Sequence, residues 1–204
     1  TTGSWVDSSY DNTRADTGTL SMKMVLDQGQ PPAICGGNNF FGGTVTLADP
    51  IPIGKTVWFS AKFFFPSTFS WGYTYSSSDS AEAATCGKGT DGFGLLKFMR
   101  LAPTNGTSRI YLQPPVDRRS VSQPTSNTMR ITSEVGPLVA DLNNANGKIG
   151  LNAWVTCQIA VKVASDGTGF IRYWNGDNFI GEVTGATVTA ANSIASWTIG
   201  DYWN

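Results

Sequence analysis

The sequence predicts an all-β fold, a sandwich of two packed antiparallel sheets. Apolar and polar residues alternate with period two in one short run after another, as in strands with one buried and one wetter face. Gly, Asn, Asp and Pro cluster between these runs, where turns are needed. No stretch carries the apolar period of a helix longer than a turn or two. So many one-sided strands need a second sheet to cover them. With 204 residues, no composition break and no fixed-period repeat, the chain suits one such domain.

Residues 1–19 are polar, with two early aromatics, Trp5 and Tyr10, and read as an N-terminal extension that is either weakly packed or docks as an added strand through Trp5. Residues 20–204 read as the sandwich. LSMKMVL, from Leu20 to Leu26, alternates imperfectly and is a strand. A Gly/Pro-rich loop around Cys35 precedes a short run, Thr44 to Leu47, and Asp49-Pro50, Pro52 and Gly54 then read as a turn. Thr56 to Phe65 sets Val57, Phe59, Ala61, Phe63 and Phe65 against Trp58, Ser60, Lys62 and Phe64, and Pro66 ends it. Residues 66–92 are long and Ser/Gly-rich, with Trp71, Tyr73 and Tyr75 alternating inside them. A loop of that length is usually functional or mobile. Its rings either stack on sugars or cover a hydrophobic edge.

Gly92 to Leu101 is a further strand, with Met99 and Leu101 on one side and Arg100 on the other. After an Asn-Gly turn, Arg109 to Gln113 places Ile110 and Leu112 inward and Arg109, Tyr111 and Gln113 outward. Thr128 to Val135 places Met129, Ile131, Ser133 and Val135 inward and Arg130, Thr132 and Glu134 outward. The strongest pattern is Trp154 to Glu182. Val155, Cys157, Ile159, Val161 and Val163 share one face, a turn centred on Asp166-Gly167 follows, Phe170 to Trp174 returns, and Phe179-Ile180 opens a third strand. Thr184 to Thr189 and Ile194 to Tyr202 complete the count. The predicted core includes Val57, Phe59, Phe63, Leu95, Met99, Val155, Ile159 and Val161.

Composition removes several functional classes. A net charge of -1 offers no electrostatic footprint for nucleic acid. No apolar run reaches the length of a membrane span. With no histidine and no paired CxxC there is no zinc-site pattern, and nothing in the sequence calls for a metal or cofactor. Cys157, on the apolar face of its strand, reads as a buried thiol. Cys35 and Cys86 lie in Gly-rich loops and are either a disulfide formed in an oxidising environment or two separate thiols. The polar start without an initiating Met, and the abrupt aromatic end, read as a piece of a longer protein.

The segments Val57–Pro66, Lys97–Leu101 and Trp154–Gly176, in that order, resemble those of the concanavalin A-like lectin/glucanase jelly rolls. The nearest in character are the jelly-roll polysaccharide lyases and lyase-like domains of microbes and their viruses. The resemblance implies a curved sheet whose concave face carries a sugar site. The outward residues Arg100, Arg109, Tyr111, Gln113, Arg130, Glu134, Arg172 and Trp174 are the candidates for it, with Trp71 and Tyr73 in the long loop. Arginine forks match planar uronate or sulfate groups, and indole rings match the apolar face of a pyranose. The bland alternative is a solvated sheet face laced with weak ion pairs.

In such lyases, β-elimination uses Arg, Gln or Asn with His and Tyr. This chain has no His, so Tyr111 with Arg109 and Gln113 is the candidate catalytic cluster. Arg130 to Glu134 only partly echoes the lyases' RxExR strand. Glycoside hydrolysis needs two carboxylates across a bond, and no close pair such as ExDxE is present. The expected function is therefore binding of an acidic or neutral polysaccharide. Uronate-specific lyase activity is the first alternative. A virion or cell-surface decoration module, partnered by other subunits, is the second. All three imply an extracellular or virion-surface location.

Overall fold

The structure is a computed structural model and describes residues 8–24, 39–40, 42–69, 96–113, 129–135, 138–142 and 147–203. Among these there is no α-helix, and hence none long and apolar enough to cross a membrane. Thirteen strands are formed: β1 (Ser8–Asp11), β2 (Ser21–Met24), β3 (Asn39–Phe40), β4 (Gly43–Ile51), β5 (Thr56–Phe64), β6 (Leu96–Pro103), β7 (Ile110–Gln113), β8 (Met129–Ser133), β9 (Leu138–Leu142), β10 (Trp154–Lys162), β11 (Phe170–Asn175), β12 (Asn178–Thr184) and β13 (Ile194–Trp203).

Two antiparallel sheets make the sandwich. The smaller runs β12-β11-β10-β5, and the larger, seven-stranded one runs β3-β13-β6-β7-β8-β9 with β4 also paired to β13. β1 and β2 form a separate two-stranded sheet. The sequence explains the centre of the smaller sheet. The β-branched residues of β10 line one side, and Asp166 Oδ1 accepts the Thr168 N–H at 2.9 Å, closing the turn into β11. The next turn needs Gly176, whose φ of 58° lies in the left-handed region.

The core lies between the inner faces. Phe59, Phe63, Cys157, Ile159, Val161, Ile171 and Tyr173 from the smaller sheet meet Met99, Leu101, Ile110, Leu112, Met129, Ile131 and Ile194 from the larger. Phe59 and Trp197 cross the gap with ring centroids 5.3 Å apart. Of the predicted core residues, Phe59, Phe63, Met99, Ile159 and Val161 are buried, while Val57 and Val155 are partly buried against the cluster. Leu95 lies outside the described residues.

The strand pattern differs from expectation in two places. β4 runs on through Asp49 and Pro50 to Ile51, where a turn was expected. Pro50 is tolerated because it falls in the register shift between the Ile51–Ile194 and Thr46–Ser196 pairs, where the ladder is already interrupted. β12 extends to Thr184, and residues 185–193 are a loop rather than a strand. Thr187 there is fully buried and its hydroxyl donates to the Lys162 carbonyl at 2.8 Å, so its burial reflects a polar anchor and not a sheet face.

Candidate functional site

The outward candidates fall on two different sheets. On the larger sheet, register lines up Thr44, Thr198, Arg100, Tyr111 and Thr132 across β4, β13, β6, β7 and β8. These side chains leave their strands away from the core. Thr44 and Thr198 share a hydroxyl–hydroxyl hydrogen bond of 2.8 Å, and Arg100 Nη2 donates to Thr198 Oγ1 at 3.3 Å. Gln113 of β7 is opposite Arg130 of β8, two residues along from the Tyr111–Thr132 pair. Arg100 and Arg130 are both half-buried.

Two expectations on this face need correction. Tyr111 does leave β7 on the non-core side, but it is only 1% exposed rather than wet. Alternation decides which side a residue points to, not whether something lies over that side. Tyr111 therefore offers no ring area for stacking, and its hydroxyl donates to Glu134 Oε1 at 2.8 Å. Glu134, expected on the outward face of β8, lies one residue past its end. Its Oε2 accepts the Arg109 backbone N–H at 3.0 Å, and its own N–H donates to the Arg109 carbonyl at 2.9 Å. Glu134 thus clamps the end of the β7–β8 pair. Arg109 precedes β7, and its Nε donates to the Gly106 carbonyl at 3.0 Å, tying the guanidinium to the β6–β7 turn.

Arg172 and Trp174 belong to the smaller sheet, on the opposite outer surface of the sandwich. The single polar face expected from the sequence is two faces. Strand parity separates core from non-core but cannot tell which of two sheets a strand will join. Here the rows are Trp58, Ala160, Arg172, Glu182 and, beside it, Ser60, Gln158, Trp174, Phe179. Arg172 Nε forms an ion pair with the Glu182 carboxylate, and its guanidinium lies 4.0 Å from the centre of the Phe170 ring. It is already engaged twice within the protein. Trp174 packs against Trp58 at 4.7 Å and against Phe179 at 5.3 Å between ring centroids. Trp58 and Phe179 were not among the candidates. The signal for Trp58 was its place on the outward side of β5, and the missing information was that β10 lies between β5 and β11.

Trp71, Tyr73, Cys35 and Cys86 lie outside the described residues. Cys157 is buried in the core, where burial pushes its thiol up to about 12. Its Sγ is 3.5 Å from the Tyr173 hydroxyl, itself driven upward by burial. A protonated, enclosed thiol is no nucleophile at neutral pH.

No protein-family model matches the sequence, and no curated protein is significantly similar to it. Two solved structures share its fold. An endo-β-1,4-glucuronan lyase from the fungus Trichoderma reesei superposes with a TM-score of 0.57 at 14% identity, over 97% of this chain and 76% of the lyase. A cellulose-induced protein, Cip1, superposes with a TM-score of 0.55 at 16% identity, over 97% of this chain and 78% of its own. Both are jelly-roll sandwiches of the concanavalin A-like lectin/glucanase type. At such identities the likeness speaks for fold. In fold, this chain is a two-sheet antiparallel jelly-roll sandwich.

Proposed function

We propose that this jelly roll recognises an acidic polysaccharide across the outer face of its seven-stranded sheet. The observation that carries the reading is the placement of Arg100 and Arg130, half-buried, beside the Thr44–Thr198–Tyr111–Thr132 line. A guanidinium withdrawn from bulk water meets a carboxylate more strongly than an exposed one does, and its fork fixes the orientation of a planar uronate. In the same row, Thr44 is exposed and Thr132 half-buried, and their hydroxyls suit the hydroxyl-rich rest of a sugar. The glucuronan lyase among the structures of the same fold supports the ligand class by analogy. Polysaccharides of this kind are met outside the cell, and that is where the reading places the protein.

Calorimetry with glucuronan and alginate oligomers tests it. Arg100→Ala and Arg130→Ala are expected each to weaken uronate binding by roughly tenfold or more, the scale of one charge-assisted hydrogen bond. Undiminished affinity in both variants would place the ligand elsewhere. No binding to any glycan would favour the surface-decoration reading.

The Tyr111–Glu134 contact gives a second reading, β-elimination. In that reaction the C5 proton is abstracted, the C4–O bond breaks, and a C4=C5 double bond forms while the departing oxygen takes up a proton and an arginine neutralises the uronate carboxylate. Tyr111 as base would have to release its own proton, and Glu134 is the acceptor at hand. Binding without turnover is the better reading, because the hydroxyl is covered and the chain has no histidine to act near neutral pH. Absorbance of the unsaturated product decides. A rising trace that Tyr111→Phe abolishes would establish the lyase, and a flat trace on glucuronan, alginate and ulvan leaves recognition alone.

A further inference from the structure

The outer face of the smaller sheet is divided. At one end the segment joining β1 to β2 sits on it. The Arg14 guanidinium lies 3.9 Å from the centre of the Phe64 ring, and Asp16 pairs with Lys62. Phe64 in turn meets Trp154 edge-on at 5.6 Å. At the other end the face is open. Trp58 is 58% exposed and Phe179 52% exposed, with Trp174 held between them. Three strands, β5, β11 and β12, contribute one ring each. Trp58 and Trp174 come from strands on either side of β10, and they meet because β10 carries small Ala160 opposite Trp58.

We infer that Trp58, Trp174 and Phe179 form a second saccharide site, a platform for a single chain of neutral pyranose units. Large exposed rings grouped on a protein surface mark an interaction site, and three features here select this ligand. The first is charge. Arg172 is paired with Glu182 and Lys62 with Asp16, so the charges at these outward positions are balanced within the protein and favour no anion. The second is chemistry. Indole and phenyl faces match the C–H face of a pyranose at little entropic cost. Ser60 and Gln158, in register with Trp174, bring a hydroxyl and an amide to the same row, and Gln158 Nε2 is steadied by the Gly176 carbonyl at 2.8 Å. The third is shape. The Trp58 and Trp174 planes are inclined by 39°, and the Trp174 and Phe179 planes by 58°, so the rings form no flat plane and suit a single chain rather than the flat surface of a crystalline polymer. The platform is independent of the arginine face, and either proposal can fail alone.

The test uses the intact chain and a panel of neutral probes: cellohexaose, mannohexaose and xylohexaose. Binding is followed by calorimetry and by quenching of tryptophan fluorescence. At least one probe is expected to bind. Trp58→Ala and Phe179→Ala, both at positions more than half exposed, are expected to weaken it by about threefold to tenfold each, the scale of one aromatic contact. Thermal unfolding of the same variants confirms that they fold. Arg100→Ala with Arg130→Ala is expected to leave neutral binding intact. The inference is overturned if no probe binds the wild type, or if both aromatic variants bind as tightly as it does. A dimer seen by sedimentation that Trp58→Ala dissolves would assign the patch to a second copy of the chain and would overturn it equally.

Discussion

The two outer faces of this sandwich differ in how they treat polar groups. On the seven-stranded sheet, Tyr111 and Thr198 are buried although they point away from the core, and Arg100 lies half-buried between them. On the four-stranded sheet, Trp58 and Phe179 stand in solvent and the nearest arginine is neutralised by Glu182. One face has charge in a shielded setting, where it acts strongly; the other has ring area in the open, where only stacking is left. On the reading proposed above, the two surfaces would take different sugars. The same residue type is also held differently on the two faces: Arg100 donates to the Thr198 hydroxyl, whereas Arg172 is paired with Glu182 and lies against Phe170.

The contrast is sharpest in stability, and the largest effect is expected at Tyr111. Truncation to Ala should cost about 3–5 kcal/mol by urea unfolding, because a covered aromatic ring is lost and Glu134 loses a partner. A cost below about 1 kcal/mol would mean that Tyr111 is open to solvent, and the difference between the faces would vanish. Ile159→Ala comes next. It removes a residue from the core that backs both faces, and about 2–5 kcal/mol is expected. That variant should weaken the acidic and the neutral ligand together once it begins to unfold, whereas surface variants separate them.

A smaller effect is expected in alkali. Burial raises the folded Cys157 pKa to about 12 from an ordinary value of 9.0. The folded state therefore holds that proton more tightly than the unfolded one. Its contribution is fully present below about pH 9 and is lost as pH rises towards 12. Cys157→Ala should flatten the fall of stability across this window, and an unchanged slope would show that the thiol is not the titrating group. The smallest effect is at Trp58, where truncation to Ala should cost no more than about 1 kcal/mol, since only a partial contact with Trp174 is lost. A loss of several kcal/mol there would make the platform a structural cap.

The sequence by itself determined β5, β7, β8, β10 and β11 and their inward sides, but not β3, β9 or the loop at 185–193. Alternation in Thr56 to Phe65, Arg109 to Gln113, Thr128 to Val135 and Val155 to Val163 separates the core-facing residues from the rest, and it places Cys157 in the core. It does so because the pleat sends successive side chains to opposite faces, which is a property of one strand alone. Only the tertiary structure decided which outward residues share a surface. Arg100 and Arg172 have the same parity in the sequence, yet β6 joins one sheet and β11 the other. Trp58 and Trp174 lie far apart in the chain, yet β10 brings them together and Ala160 leaves room for them to touch. Tyr111 reads as an outward residue until its surroundings are seen. Strand pairing and the covering of a face depend on contacts between segments distant in sequence, and a local period of two carries no record of them.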